Sequence, residues 1–295
     1  GPMSRGLGDV YKRQFGYTPT ESIIIGIATI FSSTIIGIKL LPTTALHHKH
    51  SGDLMVGMLL MQDFIAIFVL MFLSAGESGS PDLLQLGRSF LALPVLVGFS
   101  ILMVRIVLLP LFARFDRIGE YVFLLAIGWC LGISEAAASL GLSREIGAFV
   151  GGISIATCPF SQYIALNLKP LRDFFLILFF FSLGSSFDIS LIPEIAAGAV
   201  LLAALVLAVK PITYHYLLRS HSETDSLAWD IGFRLGQNSE FSLLIAYVAF
   251  NASMIGNIAS HLIQGAAILT FLVSSYLVVF NFPTPIATND KLRRD

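Results

Sequence analysis

Nine stretches of this chain are apolar almost without interruption. They run from about Glu21 to Leu41, Leu54 to Ala75, Phe90 to Phe112, Tyr121 to Leu140 and Glu145 to Ile164. The remaining four run from about Pro170 to Phe187, Leu191 to Leu218, Leu227 to Phe250 and His261 to Phe280. A helix needs about 20 apolar residues to cross a bilayer, and each stretch is close to that length. The runs are continuous, not alternating, which predicts membrane helices over a β-barrel. Two of them carry a polar interruption near mid-length. The first holds Phe31-Ser32-Ser33-Thr34-Ile35-Ile36-Gly37 and the eighth holds Gly236-Gln237-Asn238-Ser239-Glu240-Phe241. Backbone freed by unwinding at such depth must face protein or a water-lined cavity. Paired interruptions in the two halves of a chain point to a transporter binding site. The plainer reading is that Ser32 to Thr34 bond back to their own helix and the polar residues join neighbouring helices.

Composition agrees. The chain is 55% hydrophobic and only 13% charged over 295 residues, against about 25% charged in soluble domains. A net charge of −1 gives no case for nucleic acid. The hydrophilic segments are too short to host a separate domain. The basic residues sort by side. With the end of the first stretch placed in the cytoplasm, one set of ends and loops holds Lys39, Lys49, Arg114, Arg117, Lys169, Arg172, Arg219, Lys291, Arg293 and Arg294. The other set holds only Arg88 and Arg144. That asymmetry satisfies the positive-inside rule and places the C-terminus in the cytoplasm. Residues 1–14 read as a non-native leader, with a cleavage scar at Gly1-Pro2 and adaptor-like sequence after it. Residues 15–282 read as the membrane domain and 283–295 as a cytoplasmic tail. On that reading the chain is part of a longer protein.

A few charges lie inside the apolar stretches, where each is a candidate for function. Asp63, preceded by Gln62, is mid-way along the second stretch. Lys210, followed by Pro211, interrupts the seventh. Counted from the cytoplasmic ends, both are roughly 12–14 Å deep. An acid and a base at one depth can pair, which lowers the cost of burying either; alternatively Lys210 snorkels to the interface. Arg105 is within reach of the interface. Arg234 is placed to pair with Asp230 one turn earlier. Glu135 and Glu145 lie towards the outer face, Glu135 as a polar anchor. His47, His48 and His50 read as a solvated loop, with a minor pH-sensing alternative. Cys130 and Cys158 read as buried small residues, neither a disulfide nor a metal site.

Taken together these residues resemble the Kef-type branch of monovalent cation:proton antiporters. The match rests on Ser32-Ser33-Thr34, on Gln62-Asp63, and on Gly141-Leu142-Ser143 leading to Gly147-Ala148-Phe149-Val150-Gly151-Gly152. It is extended by Phe179-Phe180-Phe181-Ser182-Leu183-Gly184 and by Gly236-Gln237-Asn238-Ser239-Glu240-Phe241; Lys210-Pro211 is similar to a pair in bacterial sodium/proton antiporters. The resemblance implies an all-α fold of inverted repeats with two broken, crossed helices, of which about nine helices are present here. It implies a homodimer in a bacterial inner membrane. It also implies exchange of potassium, in preference to sodium, for a proton by alternating access, with no cofactor. Asp63 would bind ion or proton, with Gln62, Ser32, Ser33 and Thr34 beside it. Lys210 would be its charge partner. Gly236, Gln237, Asn238, Ser239 and Glu240 would form the second break. Gln62 stands where some relatives have a second aspartate, which predicts electroneutral, one-for-one exchange. Kef proteins carry a cytoplasmic nucleotide-binding domain after the last helix, and nothing up to Asp295 matches it.

The alternative transporter reading, a potassium efflux channel gated from the cytoplasm, stays open. It is told apart by proton coupling, since a channel would dissipate a cation gradient without moving protons. A transport-inactive membrane fragment is the other alternative. Other classes fit less well. An intramembrane protease would need paired aspartates or a His-Glu-x-x-His helix, and a scaffold leaves Asp63, Lys210 and the paired interruptions unexplained.

Overall fold

A computed structural model describes residues 16–41, 50–75, 83–115, 119–156, 158–185 and 187–285. The leader 1–14, His47 and His48 lie outside them. The regular structure of the described residues is helical: α1 (Pro19–Ala28), α2 (Thr34–Lys39), α3 (His50–Ala75), α4 (Leu83–Met103), α5 (Leu109–Phe115), α6 (Gly119–Ser139), α7 (Arg144–Ala156), α8 (Ser161–Ser185), α9 (Ile192–Ser220), α10 (Asp225–Arg234), α11 (Glu240–Asn251) and α12 (Asn257–Asn281). Among the described residues five segments are each long and apolar enough to cross a membrane: His50–Leu73, Phe90–Arg114, Gly119–Ser139, Ile189–Ser220 and Asn257–Asn281. Shorter apolar helices accompany them. This is an all-α, multi-pass membrane protein.

The first and eighth apolar stretches are indeed broken. Thr18 begins α1 with a capping box to Glu21, and Pro19 opens the helix, where a missing N–H costs nothing. The chain leaves α1 at Thr29 and restarts at α2 on the N-cap Ser33, whose side chain accepts from the Ile36 amide. Likewise α10 ends at Arg234 and α11 restarts on the N-cap Ser239, which accepts from the Phe241 amide. In both cases a serine supplies the acceptor that a mid-membrane helix start lacks.

Two expected boundaries move. The fifth stretch is shorter than expected: α7 stops at Ala156. The sixth begins earlier, with α8 starting at Ser161 and Pro170 inside it. Pro159, in the turn between them, is the residue that stops helix. A proline is tolerated in a membrane helix, and Pro170, Pro94 and Pro211 all lie inside helices.

The chain divides into two compact units. One holds residues 1–69 and 188–295, the other residues 70–187. In the first, α9 packs against α10 and α12, and α1 packs against α11 and α12. Its core gathers Leu41, Met55, Leu59, Tyr214, Leu218, Ala228, Ile231 and Leu235. Glycines let the broken helix close on α9: a Cβ on Gly232 would meet the Pro211 carbonyl oxygen at 2.8 Å, and one on Gly236 would meet Pro211 Cγ at 3.1 Å. The buried face of α12 includes the small residues Ala259, Ser260, Ala266, Ala267, Thr270 and Ser274, which admit close helix approach in a membrane. Arg234 is 1% exposed. It donates to Asp230 at 2.8 Å, to the Leu40 carbonyl at 2.6 Å and to the Pro283 carbonyl at 2.8 Å. The expected Asp230 pair is therefore made, and the remaining donors tie the end of α2 to the segment after α12. His50 pairs with Glu223 at 2.8 Å. Asp188 caps the turn before α9, and hydrogen bonds from Ser190 hold its carboxyl below the usual aspartate range.

In the second unit α6 and α7 form the tightest pair. A Cβ on Gly147 would meet Ala137 Cβ and Ser134 Cα at 2.6 Å and the Ile133 carbonyl at 2.7 Å. Two of those atoms are backbone and cannot swing aside. Gly147→Ala is therefore expected to destabilise the protein by about 2 kcal/mol through overpacking, read as a lowered melting temperature in detergent. An unchanged melting temperature would show that α6 and α7 can separate without cost. Glu135 and Arg144 form an exposed ion pair at 3.0 Å between these helices, in keeping with an anchoring role. Cys130 and Cys158 are both free thiols, Cys158 buried and Cys130 only partly so.

Candidate functional site

The residues expected at the site fall within the first unit and meet where the two breaks face each other. Phe31, Ser32 and Ser33 form the break between α1 and α2; Leu235 to Ser239 form the one between α10 and α11. Direct bonds stitch them together. Ser32 Oγ donates to the Leu235 carbonyl at 2.7 Å. Gln237 Nε2 donates to the Ser33 carbonyl at 3.4 Å, and its Oε1 accepts from Ser274 at 3.0 Å. Ser242 Oγ donates to the Ala28 carbonyl at 2.5 Å. The Asn238 amide is held by Thr270 at 3.1 Å, while neither polar atom of the Asn238 side chain has a partner among the described residues.

Charge is sorted by helix end. A helix carries partial positive charge at its N-terminus and partial negative charge at its C-terminus. The carbonyls that follow the C-terminal ends of α1 and α10 are both turned on Lys210. Its ammonium donates to the Phe31 carbonyl at 2.6 Å and to the Gln237 carbonyl at 2.8 Å, with Ser32 Oγ at 3.5 Å. The two acids stand at the opposite ends. Glu240 opens α11. Its Oε1 accepts from Ser33 Oγ at 2.5 Å and its Oε2 from Ser239 Oγ at 3.4 Å, so it joins the N-cap hydroxyls of α2 and α11. Asp63 Oδ2 accepts from Thr34 Oγ1, the first residue of α2, at 3.4 Å.

This arrangement corrects one expectation. Among the described residues no ion pair within 4.0 Å joins Lys210 to Asp63. Lys210 is buried, 9% exposed, and the three protons of its ammonium already have carbonyl and hydroxyl oxygens to point at. The pairing inferred from equal depth thus fails on direction, because depth along the bilayer does not fix the face of the helix. Snorkelling is also excluded for this buried side chain.

Gln62 is likewise committed. Its Oε1 accepts from the Ser32 amide at 2.9 Å, and its Nε2 donates to the Tyr214 hydroxyl. Tyr214 was not a candidate in the sequence. One turn beyond Lys210 on α9, it shares that residue's helix face, and this spacing is the signal that could have found it. Glu240, expected only as part of the break, bonds Ser33, the residue next to the Thr34 that bonds Asp63, and so brings a second carboxylate to the site.

The transmembrane profile of the sodium/hydrogen exchangers matches residues 7–282. The chain belongs to that family. Its relatives include the iron transporter MagA of Paramagnetospirillum magneticum, 25% identical over 92% of this chain and 63% of that protein. They also include K(+) efflux antiporter 4 of Arabidopsis thaliana, 27% identical over 88% of this chain and 45% of the relative. K(+) efflux antiporter 5 of the same plant is 25% identical over 90% and 46%. The chain therefore spans about half the length of the curated relatives it matches. The potassium-efflux relatives agree with the Kef-type resemblance seen in the motifs.

Proposed function

We propose that this chain carries the ion-exchange core of a monovalent cation:proton antiporter, with Asp63 as the group that holds cation and proton in turn. One observation carries the reading. Among the described residues Asp63 accepts only the long bond from Thr34, whereas Glu240 and Lys210 are both satisfied. Of the charges at the breaks, it is the one with unused coordination. The oxygen that reaches it is that of Thr34, and the adjoining Ser33 and Glu240 carry further hydroxyl and carboxylate oxygens. Such hard donors suit an alkali cation better than a transition metal, so the iron named for MagA is not carried over. Potassium is favoured over sodium through the potassium-efflux relatives.

Lys210 keeps the negative helix ends neutral without drawing on Asp63. Glu240, held by both N-cap hydroxyls, stays with its helices as a fixed group. One exchanging carboxylate then gives one proton for one cation. Movement of the broken helices would expose Asp63 to each side alternately. The orientation with a cytoplasmic C-terminus, the bacterial inner membrane and a homodimeric assembly belong to the same proposal.

Reconstitution of the protein, including any native sequence beyond these residues, tests it. A potassium gradient imposed on proteoliposomes is expected to drive proton movement of opposite sign, faster than an equal sodium gradient. The rate should not respond to an imposed membrane potential. Potassium efflux without proton movement would identify a channel and overturn the reading; a potential-dependent rate would overturn one-for-one exchange.

A further inference from the structure

Tyr214 closes a ring of hydrogen bonds whose donors can be assigned by counting protons. The single hydroxyl proton of Ser32 goes to the Leu235 carbonyl at 2.7 Å. The bond between Ser32 Oγ and Tyr214 Oη at 3.0 Å must then be donated by tyrosine. The tyrosine oxygen is left as an acceptor for Gln62 Nε2, and Gln62 Oε1 accepts from the Ser32 amide at 2.9 Å. The ring runs Ser32 amide to Gln62, Gln62 to Tyr214, and Tyr214 back to Ser32 Oγ. Every member has one direction, so the Gln62 carboxamide cannot flip without breaking two bonds.

The ring sits on the first break. The Ser32 amide belongs to backbone that has left α1 and not yet entered α2, so no helical carbonyl serves it. Tyr214 is 8% exposed and Ser32 1%, so water does not compete readily for these bonds. Behind Ser32, Ser33 caps α2 and Thr34 bonds Asp63. The position of the Ser32 amide therefore sets where those oxygens stand.

We propose that Tyr214 is a positioning residue of the exchange site, and that together with Gln62 it clamps the α1–α2 break so that Gln62 serves the backbone and not the cation. The inference rests on the antiporter reading above and revises the part expected of Gln62 there. The clamp holds the oxygens of Ser33 and Thr34 ready before the cation arrives. Without it the site must order them on binding, which weakens affinity more than it slows the exchange step.

The test uses the reconstituted protein and four forms: unaltered, Tyr214→Phe, Gln62→Ala and both together. Tyr214→Phe removes one hydroxyl and keeps the ring in the core it shares with Leu218 and Ala228. It is expected to raise the half-saturating potassium concentration roughly ten-fold, the scale of one buried group left unpaired. The maximal rate should stay within about two-fold, because Asp63 is untouched. The double variant is expected to bind potassium no more weakly than Gln62→Ala alone, since two members of one ring do not add. Multiplying effects, or an unchanged half-saturation in Tyr214→Phe, would overturn the clamp. Failure of the unaltered protein to exchange at all would instead overturn the antiporter reading, and is read separately.

Discussion

Asp63→Asn is expected to reduce cation-driven proton movement to that of protein-free vesicles. The reason is chemical and not steric. Asparagine matches aspartate in size and can still accept from Thr34, so the contact at 3.4 Å survives. What it cannot do is bind and release a proton or carry the charge that holds a cation. Loss of the one proton-handling group removes at least about two orders of magnitude of rate. Asp63→Glu should retain measurable exchange with weakened cation affinity, because the added methylene displaces the carboxylate from the oxygens of α2. Melting temperature in detergent should be unchanged in Asp63→Asn, since the residue is only half-buried and makes a single long bond. Exchange persisting in Asp63→Asn would move the proton-handling role to Glu240, the other carboxylate at the breaks.

Much of this site is written in the order of residues, and what is missing is a matter of direction. The breaks announce themselves as serine, asparagine and glycine in otherwise apolar runs, because a helix that restarts in a membrane must bring its own caps. Asp63 and Lys210 announce themselves as charges at a depth where charge is costly. Their partners do not. Lys210 and Asp63 lie at one depth, yet the ammonium is turned on the Phe31 and Gln237 carbonyls. Backbone oxygens carry no sequence signature, so their claim on a cation cannot be read from side chains. Glu240 was legible as part of the second break but not as a neighbour of Ser33, because the expectation of two crossed breaks does not say which side chains meet there. Tyr214 looked like one more aromatic residue in an apolar helix. The limits of the fifth and sixth helices also shifted. Pro170 reads as a helix start and Pro159 as part of a helix, whereas Pro170 lies inside α8 and Pro159 in the turn before it.

Lys210→Met is the second replacement expected to have a large effect, and here stability and transport should fall together. Methionine keeps most of the apolar stem and removes the ammonium. The carbonyls of Phe31 and Gln237, bonded at 2.6 and 2.8 Å, lose their donor in buried surroundings. Each unpaired carbonyl costs about 1–3 kcal/mol. Against this, the variant no longer buries a charge, and that relief is itself several kcal/mol. The balance turns on how well the ammonium is satisfied. With all three protons directed at oxygens, and two of those oxygens at negative helix ends, most of its burial cost is already offset. The lost bonds should therefore dominate, leaving the protein destabilised by about 3 kcal/mol, or a fall in melting temperature of order 5–10 °C. Exchange should be lost as well. Without the cation, the two carbonyls face each other across the breaks with like partial charge, and the breaks should part. If Lys210 served Asp63 instead, the double variant Lys210→Met/Asp63→Asn would recover the stability lost by Lys210→Met. Carbonyl partners predict no recovery, because removing Asp63 leaves both of them unpaired.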